Sequence, residues 1–271
     1  MSDADEGWSR PDHVSGDAAY RPDADPWNVS SPWQPPNGAW PGRTYSSLAG
    51  LAKALQVLLP LVAVADAALV AALFYRYALL ARFDRDPGSV SPAELNGSDA
   101  TVGGISAIAL LLMIATAAVF IVWFYRARTN ADVFGGRYQR RARGWAIGGW
   151  FCPVVNLWFP YQIATDVLYE AESAATVPAG QQQVTSGRPS YPLLRGWWIL
   201  LLLSAALDRV GWGLRAENVH ALLSQTRLGI AATLLEIAAA ILAVVVVRRI
   251  TAAHERLKDN VATSPPWGGM Q

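Results

Sequence analysis

Cysteine is almost missing from these 271 residues. Cys152 stands alone, so no intramolecular disulfide staples the chain. Lysine is nearly as scarce: Lys53 and Lys258 are the only two, and arginine supplies the remaining positive charge. The three histidines, His13, His220 and His254, stand too far apart for metal-ligand spacing, so no metal site is expected. No GxxxxGKS/T, HExxH or GxSxG motif occurs, and no GxGxxG follows a strand-like run. With no nucleophile–base pair in view, the sequence reads as non-enzymatic, with no catalytic residues and no cofactor. Charged residues are only 16% of the chain, against about 25% in a soluble domain. The net charge of +1 gives little attraction to phosphate, which argues against a nucleic-acid partner.

What is abundant is apolar surface. Hydrophobic side chains make up 52% of the residues, too many for a wholly disordered polymer. They are concentrated in four runs, at about 54–77, 102–125, 194–214 and 228–248. A hydrocarbon core about 30 Å thick needs roughly 20 apolar helical residues, and each run meets that length. Residues 100–125 carry no charge at all, so a soluble helix with one polar face is a poor alternative. The expectation is an all-α, multi-pass membrane protein with four transmembrane helices.

Two unlike polymers meet near Ser47. Residues 1–47 hold seven acids against three arginines and prolines at 11, 22, 26, 32, 35, 36 and 41, which reads as a disordered acidic Pro/Trp-rich tail. It lacks the basic start and apolar core of a signal peptide. The rest of the chain balances at plus five and ends in a second expected tail, 259–271. Pro32-Trp33 and Pro266-Trp267 are candidate ligands for a protein partner, although a solvated tail needs none.

A fifth apolar segment, 144–162, is different in kind. Gly148, Gly149, Pro153 and Pro160 break it, and Asn156 places an amide at its middle. It reads as re-entrant or interfacial, with a full crossing as the alternative. Positive charge favours the first reading. With four crossings, both termini cytoplasmic and this segment not spanning, fourteen of the basic residues from Arg43 onward lie on the cytoplasmic side and six outside; a fifth crossing makes the split eleven to nine. Six of the fourteen form the loop Arg126, Arg128, Arg137, Arg140, Arg141 and Arg143, which sets topology and offers a contact for anionic lipid. Seven tryptophans, at 123, 145, 150, 158, 197, 198 and 212, fall near segment ends, as in a headgroup belt. Asn130 is expected to close the turn that follows it, and Asn96-Gly97-Ser98 reads as a turn rather than a glycosylation site.

The stretches WFYRARTNA (Trp123–Ala131) and RGWAIGGWFCPVVNLWFPYQ (Arg143–Gln162), followed by the pair Trp197–Trp198, resemble a bacterial, largely actinobacterial, family of multi-pass membrane proteins known as domain of unknown function 4328. The resemblance covers roughly Leu48 to Lys258. It implies a bacterial inner-membrane location and carries no activity with it. One departure is Phe159, where the resemblance leads one to expect a basic residue.

Ionisable residues inside a membrane helix cost roughly 2.5–3.5 kcal/mol and ask for partners. Asp66, Asp208, Arg209 and Glu236 are the candidates. At 1.5 Å per residue, Asp66 lies about 16 Å, Glu236 about 12 Å and Arg209 about 8 Å below the outer boundary. The expected arrangement is one cluster, with Arg209 shared between Glu236 and Asp66. Two functional readings follow: a scaffold or regulatory interaction component, or a small-solute or proton-coupled transporter component built on the broken segment and the acids. A polar cavity joining Asn156 to Glu236 would favour transport, and acids paired with Arg209 in a dry bundle would favour interaction. Composition says nothing of oligomeric state.

Overall fold

A computed structural model describes residues 44–134, 136, 138–176, 190–214 and 217–263. Most of the acidic tail, Arg137, and Pro266-Trp267 lie outside the described residues. Six α-helices follow one another: α1 (Ala49–Arg85), α2 (Pro92–Val133), α3 (Trp145–Phe151), α4 (Phe159–Thr176), α5 (Pro192–Gly213) and α6 (Val219–Thr263). Short 3-10 turns at Pro87–Ser89 and Val155–Leu157 join α1 to α2 and α3 to α4. Among the described residues there is no strand.

Three helices, α1, α2 and the Val219–Lys258 part of α6, are long and apolar enough to cross a membrane. They run well past the apolar stretches that announce them. With 37, 42 and 45 residues, they extend about 55–70 Å at 1.5 Å per residue, roughly twice a hydrocarbon core. Local chemistry explains the early start of α2. The Ser91 hydroxyl accepts from the Glu94 N–H, the Glu94 carboxylate accepts from the Ser91 N–H at 2.8 Å, and Pro92 opens the first turn. Asn96-Gly97-Ser98 therefore lies inside α2 rather than in a turn. α5 is apolar at its centre, but Arg195, Asp208 and Arg209 dilute its ends, and it is not among the three.

Helix packing is sequential: α2 lies on α1, α1 on α6, and α6 on α5. The end where α1 begins and where α2 and α6 finish is called basal here, and the opposite end distal. At the distal end, polar ties join neighbours. Arg76 pairs with Asp99 at 2.9 Å, and the Arg227 guanidinium donates to the Tyr77 hydroxyl at 2.7 Å. At the basal end, α4 wedges among α2, α5 and α6.

No apolar run announces α4, yet its face is ordinary amphipathic helix: Ile163, Ala164, Val167, Leu168 and Ala171 are all buried. The first four join Trp123, Phe124, Leu194 and Val247 in the main core. Large apolar side chains in the membrane-length stretches remain exposed, among them Val64, Leu111, Met113 and Ile241. In water such a surface would aggregate; against lipid tails it is at home.

Candidate functional site

The basal end is built from the first recognised motif. Trp123 is fully buried and its indole N–H donates to the Thr251 hydroxyl at 3.1 Å. Five residues on, Arg128 is also buried. It pairs with Asp132 at 2.6 Å and donates from Nε and Nη2 to the Arg141 carbonyl. Arg143 reaches the other oxygen of Asp132. Arg140 pairs with buried Asp166 of α4 at 2.9 Å, and Arg141 donates to the Gln162 side chain at 3.0 Å. Four of the loop arginines thus fold the loop onto α2 and α4, where the sequence suggested contacts with lipid. Arg126 is exposed and has no ion-pair partner among the described residues.

Asn130 has a different job from the expected turn. Its amide donates to the Ser46 carbonyl at 2.7 Å, and its Oδ1 accepts from the Ser46 N–H at 3.0 Å. Glu255 of α6 accepts from the Tyr45 hydroxyl, the Ser47 hydroxyl and the Leu48 N–H. Residues 44–48, which the sequence assigned mostly to the tail, form a strap across the ends of α2 and α6. Composition hid this because its contacts are made by backbone and small polar groups. Next to the strap, Tyr191 donates to Glu172, which also pairs with Arg249 at 2.9 Å. Burial, and then the hydrogen bond to Glu172, push the Tyr191 phenol above its ordinary range, so it stays a donor.

The broken segment divides at Cys152–Trp158. Gly149 packs against the start of α4: a Cβ there would stand 3.4 Å from the Phe159 Cβ and 3.9 Å from Pro160, in ordinary contact with no room for more. Gly148 meets only the Trp145 ring at 3.9 Å. Pro153 lies in the turn between α3 and the 3-10 turn, and Pro160 enters the first turn of α4. Trp198 of α5 closes the break by donating to the Leu157 carbonyl at 2.9 Å. The Asn156 Oδ1 is buried without a hydrogen-bond partner. Phe151, Val154, Leu157 and Trp158 are exposed, giving the fold-back an apolar tip. Phe159, standing where a base was expected, receives one through space: the Arg141 guanidinium lies 4.0 Å from its ring centroid.

Tryptophan placement only partly follows a headgroup belt. Trp145, Trp158 and Trp212 are exposed, but Trp123, Trp197 and Trp198 are buried. The buried ones, with Phe120, Phe124 and Trp150, stack into a layer spanning α2, α3 and α5. Aromatic packing, rather than interfacial hydration, uses their area.

Distal to this layer the molecule opens. α2 and α5 stand on opposite sides of a groove of about 440 Å³ whose floor is α1 and α6. Arg76, Asp208 and Glu236 line it, with Ser106, Gln225, Thr226 and Thr233 adding polar groups and Leu69, Leu73, Val102 and Trp212 apolar walls. The Asp208 and Glu236 carboxyls lie within hydrogen-bonding reach of each other, and Asp66 faces Glu236 closely enough for their charges to interact. Asp66 is buried and its Oδ2 has no hydrogen-bond partner. Of the four intramembrane candidates, Asp208 and Glu236 line the groove, Asp66 is buried outside its lining, and Arg209 is exposed and outside it too. Helix geometry is the reason: adjacent residues point about 100° apart, so Asp208 and Arg209 cannot share one face. The cation in the lining is Arg76, and Asn156 does not line this space.

Among the described residues, no group of three or more His, Cys, Asp or Glu side chains is arranged to hold a metal ion. Three lipid-length apolar helices around a polar groove define a multi-pass helical membrane protein. The sequence pattern of the family described as domain of unknown function (DUF4328) matches residues 86–252, well over half of the chain, and the protein belongs to that family. No curated protein and no solved structure matches it.

Proposed function

We propose that the protein is a non-enzymatic interaction component of the bacterial inner membrane, fixed by four crossings with both termini cytoplasmic. α5 is the fourth crossing in this reading: its 22 residues suffice for about 30 Å, and it packs along the lipid-length α6. The fold-back 144–162 dips its apolar tip into the cytoplasmic interface without crossing. The basal end is then cytoplasmic.

The observation that carries the reading is the strap. Asn130 and Glu255 fasten residues 44–48 to the ends of two long helices. The Pro/Trp-rich segment before it is thereby tethered to a rigid, ion-paired base, the arrangement that a recruiting arm requires. Affinity capture from native membranes tests this. A chain lacking residues 1–43 keeps the strap and loses the recruited partner. Retention of every partner by that truncated chain contradicts the reading.

A transporter component is the second reading, favoured by the groove and its acids. Against it, Asn156 is outside the groove, and the aromatic layer lies between groove and basal end. Solute uptake by reconstituted vesicles, abolished by Glu236→Gln, would favour it over recruitment.

A further inference from the structure

The distal groove joins three features that a bilayer alone does not satisfy. Two carboxyls, Asp208 and Glu236, line it at membrane depth with no ion-pair partner among the described residues. A third, Asp66, is buried behind Glu236 with its Oδ2 unpartnered. Carboxyl groups in hydrocarbon need a counter-charge, which the contact between Asp208 and Glu236 does not supply, and neither Arg209 nor Arg227 supplies it. Arg209 is exposed outside the groove. Arg227 binds the Tyr77 hydroxyl. Among the described cations Arg76 lines the groove; it pairs with Asp99 through Nη1, and a guanidinium with five N–H donors can serve a second anion as well.

Depth orders these groups. Arg227 meets Tyr77 and Gly229 meets Leu73, so α1 and α6 run antiparallel in fixed register. Arg76 then stands at the distal rim, about 15 Å along α1 from Asp66. Gly211 meets Leu228, which sets Asp208 at an intermediate level, with Glu236 below it. From mouth to floor the groove offers one guanidinium, then two carboxyls, with Leu69, Leu73 and Val102 as an apolar wall beside them.

We propose that this groove binds the headgroup of a phosphatidylethanolamine-type phospholipid from the distal leaflet. The primary ammonium donates to Asp208 and Glu236, the phosphate meets Arg76, and the acyl chains lie along the apolar wall. Charge complementarity selects this occupant. An ammonium supplies the counter-charge that the two carboxyls cannot give each other, and a phosphate accepts from the Arg76 guanidinium. A glycerol headgroup keeps the phosphate but puts neutral hydroxyls where the ammonium would stand, so the carboxyls gain no counter-charge. A choline headgroup carries the right sign but no N–H to donate.

Native mass spectrometry of the full-length protein in detergent tests the assignment, with ethanolamine, choline and glycerol phospholipids of identical acyl chains added in turn. The ethanolamine lipid is expected to bind about tenfold more tightly than either of the others, a difference of about 1.4 kcal/mol. Asp208→Asn with Glu236→Gln, near-isosteric replacements, should remove that preference. The melting temperature of each lipid-free variant separates lost binding from lost folding, and Arg209→Gln is the control that should retain the preference. Arg76→Gln should weaken all three phospholipids and leave the binding of dodecylamine, which has the ammonium and no phosphate, unchanged. Equal retention of all three phospholipids overturns the proposal, as does full preference in the folded Asp208/Glu236 double variant. Undiminished affinity of Arg76→Gln for the ethanolamine lipid overturns the phosphate contact.

Discussion

At the scale of single residues, most of the recognised motifs are fasteners. Arg128 is buried between Asp132 and the Arg141 carbonyl, so removing Asp132 strands a guanidinium away from water. Breaking a buried pair from one side costs roughly 3–5 kcal/mol. Asp132→Ala should therefore lower the melting temperature in detergent markedly, and more than Asp166→Ala, whose partner Arg140 is more open to solvent. An equal or smaller effect at Asp132 would contradict the central place given to Arg128. Trp198→Phe keeps most of the aromatic layer and loses one hydrogen bond to the Leu157 carbonyl, worth about 1 kcal/mol. Gly149→Val is the complementary test. It adds methyl groups onto a Cβ position already 3.4 Å from the Phe159 Cβ, and overpacking of this kind costs about 1–3 kcal/mol. Gly104→Val has open space around its Cβ and should cost less by thermal unfolding.

At the scale of elements, legibility in the sequence followed the physics of each segment. The apolar centres of α1, α2 and α6 were plain because lipid demands long uncharged runs, but their ends were not. Helix persists wherever a cap such as Ser91–Glu94 or a distal tie such as Arg76–Asp99 supports it, and hydropathy does not record those. α4 was missed, because Ile163, Val167 and Ala171 form only a helical stripe without a long apolar run, and Asp166 and Glu170 are buried beside it. The three acids were found in one place because intramembrane charge is rare. Their presumed cation was misplaced because proximity in sequence, Asp208 beside Arg209, is divergence in space on a helix. The strap was hidden altogether, since Tyr45, Ser46 and Ser47 reveal their role only when Asn130 and Glu255 are brought to them. For the fold-back, Cys152 is a natural reporter because it is the only thiol. A bimane attached there should be quenched more by lipids brominated near the headgroup than by lipids brominated at the chain ends. The opposite order would make this segment a crossing.

At the scale of the whole molecule, the two ends differ in construction. The basal end is closed by the aromatic layer, α4 and a network of arginine–carboxylate pairs, with the strap laid over it. The distal end is tied at its rim and hollow within, so that the acids look into a groove rather than into packed side chains. In the proposed reading, that asymmetry puts recruitment on one side of the membrane and lipid capture at the other. It depends on an even number of crossings, with the fold-back not spanning and α5 crossing. Cysteine scanning in a Cys152→Ser background reads this directly. Ser89→Cys, Ala142→Cys and Glu217→Cys each place one thiol in an exposed position. With a membrane-impermeant maleimide on intact cells, Ser89→Cys and Glu217→Cys should label, while Ala142→Cys should label only after the membrane is opened. Labelling of Ala142→Cys on intact cells, or sidedness that differs between Ser89→Cys and Glu217→Cys, would contradict the four-crossing account.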